Sequence, residues 1–111
     1  MEKVYTNKKE EIKEKFKHFF ELNNIPFKEK ENKIEVKGKA FDIQISGIPS
    51  ISVRLGIGVY LDIIEFKDYY RVMYIDTNYN RNNAEMDIYK GETPFENPII
   101  TYFDEKLIIY F

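Results

Sequence analysis

The sequence has no cysteine, no tryptophan, one histidine, four prolines and five glycines. Without thiols there is no disulfide framework, no zinc–thiolate site and no cysteine nucleophile. The lone histidine, His18, lies on a helical segment away from its apolar stripe, one turn after Glu14. It reads as a solvated helix residue, because catalysis by histidine needs a pocket and a positioned partner. With one histidine and no cysteine, transition-metal sites lack their usual ligands. Ser46, Ser50 and Ser52 stand in no G-x-S-x-G context. No apolar run approaches the roughly 20 residues of a membrane-spanning helix, and Met1 to Tyr5 lacks the basic-then-apolar order of a secretory signal. The expectation is a cytoplasmic chain with no membrane partner and no cofactor.

What is present points to a folded domain. In 111 residues, 43% are hydrophobic, 32% charged and 16% aromatic, including nine tyrosines and nine phenylalanines. That length suits one domain with its own core, and a disordered segment has fewer aromatic and β-branched residues. The net charge of −2 conceals an asymmetry: residues 1–41 carry eleven Lys against eight Glu, net +3, and residues 42–111 carry six basic against eleven acidic residues, net −5. The whole chain therefore lacks the basic character usual in phosphate-backbone binders. Its acidic remainder suits a basic protein partner.

Ile12, Phe16, Phe19 and Phe20 fall at i, i+4, i+7 and i+8, which predicts an amphipathic helix over about 7–23. Asn7 and Glu10 form a capping pair at its start, and Asn23-Asn24 with Pro26 ends it. After it the period becomes two. Residues 27–30 and 33–37 predict a hairpin, and 41–45 a further strand, before Gly47 and Pro49 break the pattern. Alternate apolar positions from Ile51 to Ile63 exceed the ordinary strand length, so Gly56 and Gly58 mark a bend, bulge or break. Lys67-Asp68 turns into a strand over 69–75, and residues 76–83 form a polar loop. Residues 84–89 fit a strand better than a two-turn helix, and 99–103 with 107–111 close the chain as a hairpin about Asp104-Glu105. The expected fold is α+β: an N-terminal amphipathic helix packed on a curved antiparallel sheet of about six strands, an architecture that resembles cystatin-like folds.

Several motifs carry candidate chemistry. Gly56-Ile57-Gly58 lacks the third glycine and the following helix of a dinucleotide fingerprint. Asp76-x-Asn78-x-Asn80 resembles the opening of an EF-hand calcium loop, but Arg81 replaces the glycine and Asp87 the final glutamate. Asp42 followed by Glu65-Phe66-Lys67 resembles the acid…E-x-K set of restriction-endonuclease-like nucleases. That resemblance implies carboxylates on magnesium and a lysine activating water, yet a strand follows where the family has a helix. Lys8, Lys9, Lys13, Lys15 and Lys17, with Arg54, Arg71, Arg81 and the tyrosines, supply an alternative nucleic-acid face.

A lone helix is too narrow to cover six or seven strands, and strands such as 69–75 carry apolar bulk on both faces. Tyrosine suits a surface that meets another chain. The preferred expectation is thus a non-enzymatic protein-binding module, an inhibitor or immunity-type protein of phage or mobile-element kind. It would block a larger, basic, nucleic-acid-handling partner through Asp62, Glu65, Asp68, Tyr69, Tyr74, Asp76, Tyr79, Glu85 and Asp87. A homodimer through the sheet, a nucleic-acid-binding domain, and a metal-dependent nuclease using Asp42, Glu65 and Lys67 are the alternatives.

Overall fold

A computed structural model describes residues 8–44, 50–78 and 83–111. Asn7, Gly47, Pro49, Tyr79, Asn80 and Arg81, named above, lie outside them. The helix α1 spans Lys8–Leu22 and buries Ile12, Phe16, Phe19 and Phe20, the stripe read from spacing alone. Asn24 ends it in the left-handed region at φ 55°. There the Ile25 N–H donates to the Phe20 carbonyl at 2.8 Å and the Asn24 N–H to the Glu21 carbonyl at 3.2 Å. This terminus is a Schellman motif, which suits an asparagine and a following apolar residue; Ile25 is buried.

Among the described residues nine strands follow: β1 Lys28–Lys30, β2 Lys33–Lys37, β3 Lys39–Gln44, β4 Ser50–Gly56, β5 Val59–Glu65, β6 Tyr69–Asp76, β7 Ala84–Tyr89, β8 Ile99–Phe103 and β9 Lys106–Tyr110. They form two antiparallel sheets, ordered β1-β2-β9-β8 and β3-β4-β5-β6-β7. The expectation of about six strands in one curved sheet is corrected accordingly. The long alternating run from Ile51 is two strands, broken at a turn where Gly58 takes φ 72°. A Cβ on Gly58 would also meet Thr77 Oγ1 at 2.7 Å, so the position excludes side chains twice over. Residues 84–89 are strand, as the alternation suggests.

The split between the sheets happens at Gly38, between β2 and β3. Tyr102 holds this corner: its hydroxyl donates to the Gly38 carbonyl at 2.8 Å and accepts the Ala40 N–H at 2.8 Å. The Gly38 N–H donates to the Glu105 carbonyl at 3.0 Å. The inward residues of both sheets and the helix stripe enclose one core. Ile34, Val36, Leu107 and Ile109 come from the small sheet; Val53, Leu61, Ile63, Tyr70, Val72 and Ile88 come from the large one. Phe16 sits among aromatic edges, 6.0 Å from both Phe20 and Phe111. No helix of the described residues is long and apolar enough to cross a membrane.

Candidate functional site

Because side chains alternate along a strand, residues that face away from the core form rows across the five-stranded sheet. The register gives these rows as Arg54, Tyr60 and Ile75; Ser52, Asp62, Met73 and Glu85; Ser50, Ile64, Arg71 and Asp87; and Tyr69 beside Tyr89. None of these residues belongs to the core cluster or packs against it. The outer face of the large sheet therefore carries aromatic side chains toward its two ends, with Met73 and Ile64 among polar and charged residues between them.

Its aromatic end is ordered by side-chain contacts. Phe66 stacks on Tyr69 with ring centroids 4.8 Å apart, and Tyr69 lies 5.6 Å from Tyr89. The Arg71 guanidinium lies 5.7 Å from the Phe66 ring centroid and 5.6 Å from that of Tyr69. Arg71 also forms a two-pronged bridge to Asp87, at 2.9 and 3.3 Å. That hydrogen bond and the guanidinium charge hold the Asp87 carboxyl below the usual aspartate range, and Asp87 in turn holds Arg71 charged. At the opposite end Phe41 packs on Tyr60 at 4.8 Å. Between them, the Ser52 hydroxyl donates to Asp62 at 2.5 Å.

Of the expected partner-binding residues, Asp62, Tyr69, Glu85 and Asp87 meet on this face. Others do not. Tyr74 faces inward and packs against the core. Glu65 pairs with Lys90 at 2.7 Å, and Lys90 lies 5.1 Å from the ring of buried Tyr70. Burial, reinforced by the Glu65 charge, pushes the Tyr70 hydroxyl up to about 12. Asp68 is exposed in the β5–β6 turn, and its carbonyl accepts the Lys90 N–H at 2.9 Å. Asp76 accepts the Asn78 N–H at 2.9 Å, and Asn78 donates to the Ile57 carbonyl at 2.7 Å. The two residues thereby fasten the end of β6 to the β4–β5 turn. Asp87 belongs to the Arg71 bridge, so the calcium-loop spacing does not bring its described members together. The nuclease set is likewise dispersed: position 42 pairs with Ser52, and Ser52 with Asp62, three residues along β5 from Glu65. Among the described residues no group of three or more His, Cys, Asp or Glu side chains is placed to hold a metal.

The face is less acidic than the composition of residues 42–111 implies, because Arg71 occupies its centre opposite Asp87. Phe66, Arg71 and Tyr89 were absent from the expected protein-binding set, although Arg71 and the tyrosines stood in the nucleic-acid alternative and pairing Tyr69 with Tyr89 across a hairpin would have found the last. Four of the helix lysines are paired with glutamates. Lys8 and Lys15 pair with Glu11 at 3.4 and 3.3 Å, and Lys13 and Lys17 with Glu29 at 3.3 and 3.1 Å. His18 is exposed, as read.

The small sheet presents a contrasting outer face. Lys28, Lys30, Lys33, Lys37 and Lys106 surround Glu35, which is only 8% exposed. Glu35 is covered by these long side chains rather than sunk in the core, with Lys33 at 3.2 Å, Lys30 at 3.5 Å and Lys106 at 4.0 Å. The Lys33 hydrogen bond, with the charges of Lys30 and Lys106, holds its carboxyl below the usual glutamate range. No family model matches the chain, and neither a curated protein nor a solved structure does.

Proposed function

We propose that the chain is a non-enzymatic protein-binding module that docks on a larger protein through the outer face of its five-stranded sheet, in the manner of a small inhibitor. The observation that carries this reading is the ordered cluster of Phe66, Tyr69, Arg71, Asp87 and Tyr89 on a face outside the core. Interface centres are enriched in Tyr, Phe, Met and Arg. Side chains already held by stacking and by the Arg71–Asp87 bridge lose little further freedom on binding.

Size is compatible. Five strands at ~4.8 Å spacing and about seven residues at ~3.3 Å rise make a flat area of roughly 550 Å². A standard interface takes about 800 Å² per partner, so the β5–β6 turn and the Phe41–Tyr60 end would complete it. The fitting partner offers apolar patches to the two aromatic ends and mixed polar groups to the rows between them. A strongly basic partner is a poorer fit, since Arg71 offsets Asp87.

The test uses the intact chain as bait in extracts of its own cells, beside a Tyr69→Ala, Tyr89→Ala double variant, with light scattering to report self-association. Recovery of one stoichiometric protein by the parent chain, reduced at least about tenfold in the double variant, is the expected result. Equal recovery by both baits would overturn the reading. A parent chain that dimerises through this face would replace the foreign partner with a second copy.

A further inference from the structure

A second site lies where the two sheets part. The register places Lys37 of β2 directly opposite Lys106 of β9 in the small sheet. It places Lys39 of β3 directly opposite Arg54 of β4 in the large one. Like charges directly opposite each other across strands are destabilising. Here two such pairs flank a single residue, Gly38. None of Lys37, Lys39 and Arg54 has a carboxylate partner among the described ion pairs, and Lys106 has only Glu35 at 4.0 Å. By contrast, Lys8, Lys13, Lys15, Lys17 and Lys30 are drawn to glutamates at 3.1–3.5 Å.

These four cations line one cleft of about 510 Å³. Its remaining wall includes Leu55 and Ile57, the latter 80% exposed. Asp104 and Glu105, in left-handed conformation at φ 54° and 56°, form its rim at the β8–β9 turn. Four positive and two negative side chains leave the cleft at net +2. A local arrangement that costs stability and is kept by the fold points to a ligand that removes the cost.

We propose that this cleft binds closely spaced phosphate groups of a nucleotide-type ligand. A single carboxylate is too small in charge to serve two separated cation pairs. A diphosphate, a triphosphate or successive phosphodiesters of a single strand present several oxygens and two or more charges, so one ligand answers both pairs. Arg54 offers a guanidinium fork to a phosphate, and the lysines act as point charges. The apolar wall at Leu55 and Ile57 receives the non-phosphate body. The site is independent of the aromatic cluster around Tyr69, so either can fail alone.

The experiment is calorimetric titration of the intact chain with pyrophosphate, ATP and a ten-residue oligothymidylate at low salt, without divalent metal. Saturable binding that weakens steeply with salt is expected. Lys39→Glu and Arg54→Glu should each weaken it at least about tenfold, while the unliganded variants melt no lower than the parent because a like-charge pair has gone. Lys37→Gln and Lys106→Gln, milder changes, should weaken it severalfold. Asp104→Asn with Glu105→Gln should strengthen it, since both carboxylates repel the anion. Tighter binding of ATP than of pyrophosphate assigns a free nucleotide, and much tighter oligothymidylate binding assigns a strand, whereas equal affinity for pyrophosphate and ATP would overturn the role given to Leu55 and Ile57. Absence of binding by all three at millimolar concentration, or binding unchanged by both charge reversals, overturns the proposal.

Discussion

The two sheets share one core but turn opposite kinds of surface outward. On the large sheet, outward positions hold Tyr60, Ile64, Phe66, Tyr69, Met73 and Tyr89, and the central cation, Arg71, is matched to Asp87 across one strand pair. On the small sheet, outward positions hold lysines crowded about Glu35, and the charge excess grows toward Gly38, where the Lys37–Lys106 pair of this sheet is followed by the Lys39–Arg54 pair at the edge of the large one. The same alternation thus makes an aromatic surface whose central cation is matched internally and a lysine-rich one with cations in excess. A surface of the first kind suits a protein contact driven by apolar burial; one of the second kind suits an anion.

The largest effect is expected where the comparison has its common support. Phe16 of α1 is fully buried in the core that both sheets share, and Phe16→Ala should cost about 3–5 kcal/mol. If the sheets form one unit, denaturant unfolding followed by probes on each sheet should shift together in this variant. Separate transitions would mean that the two surfaces belong to independently stable parts. A smaller effect tests the corner between them. Tyr102→Phe removes a hydroxyl that hydrogen-bonds the Gly38 carbonyl and the Ala40 N–H, and should cost about 1–2 kcal/mol. The cation pairs around Gly38 would then lose their fixed spacing, so phosphate affinity should fall although no charge has changed.

The smallest effect separates the outer faces by pH. Glu35 is held below the ordinary glutamate value by the Lys33 hydrogen bond and by neighbouring lysines. A carboxyl whose folded value is depressed stabilises the fold above its unfolded value, about 4.3, and that contribution fades as pH falls through the folded value. Glu35→Gln should therefore lower the melting temperature modestly at neutral pH and flatten its decline below about pH 4. Asp87→Asn should flatten the same acid limb through loss of the Arg71 bridge, but only it should also weaken the protein contact. Melting curves between about pH 3 and about pH 7 check both.

Much of the fold was readable from local pattern. The Ile12–Phe20 stripe marked the buried side of α1 residue for residue, and the break at Gly56–Gly58 and the Asp104-Glu105 turn followed from turn chemistry. The division into two sheets was not readable, because it depends on β2 pairing with β9, residues 33–37 with 106–110, and nothing in either segment names the other. The candidate face was readable only in part. Tyr69 and Tyr74 differ by an odd number of positions in one strand, so they could not share a face, and parity alone removes Tyr74. Arg71 opposite Asp87 needed the β6–β7 register. The facing cation pairs needed both the sheet division and the register, which hid the cleft behind an unremarkable count of lysines.

The central claim is that the aromatic face of the large sheet meets another protein. A photoreactive amino acid placed at Tyr89, which is 57% exposed, tests it directly when compared with one at exposed His18 on α1. The account predicts that position 89 crosslinks in cells to one foreign protein and position 18 does not. Equal crosslinking from both positions, or none from position 89, would contradict it.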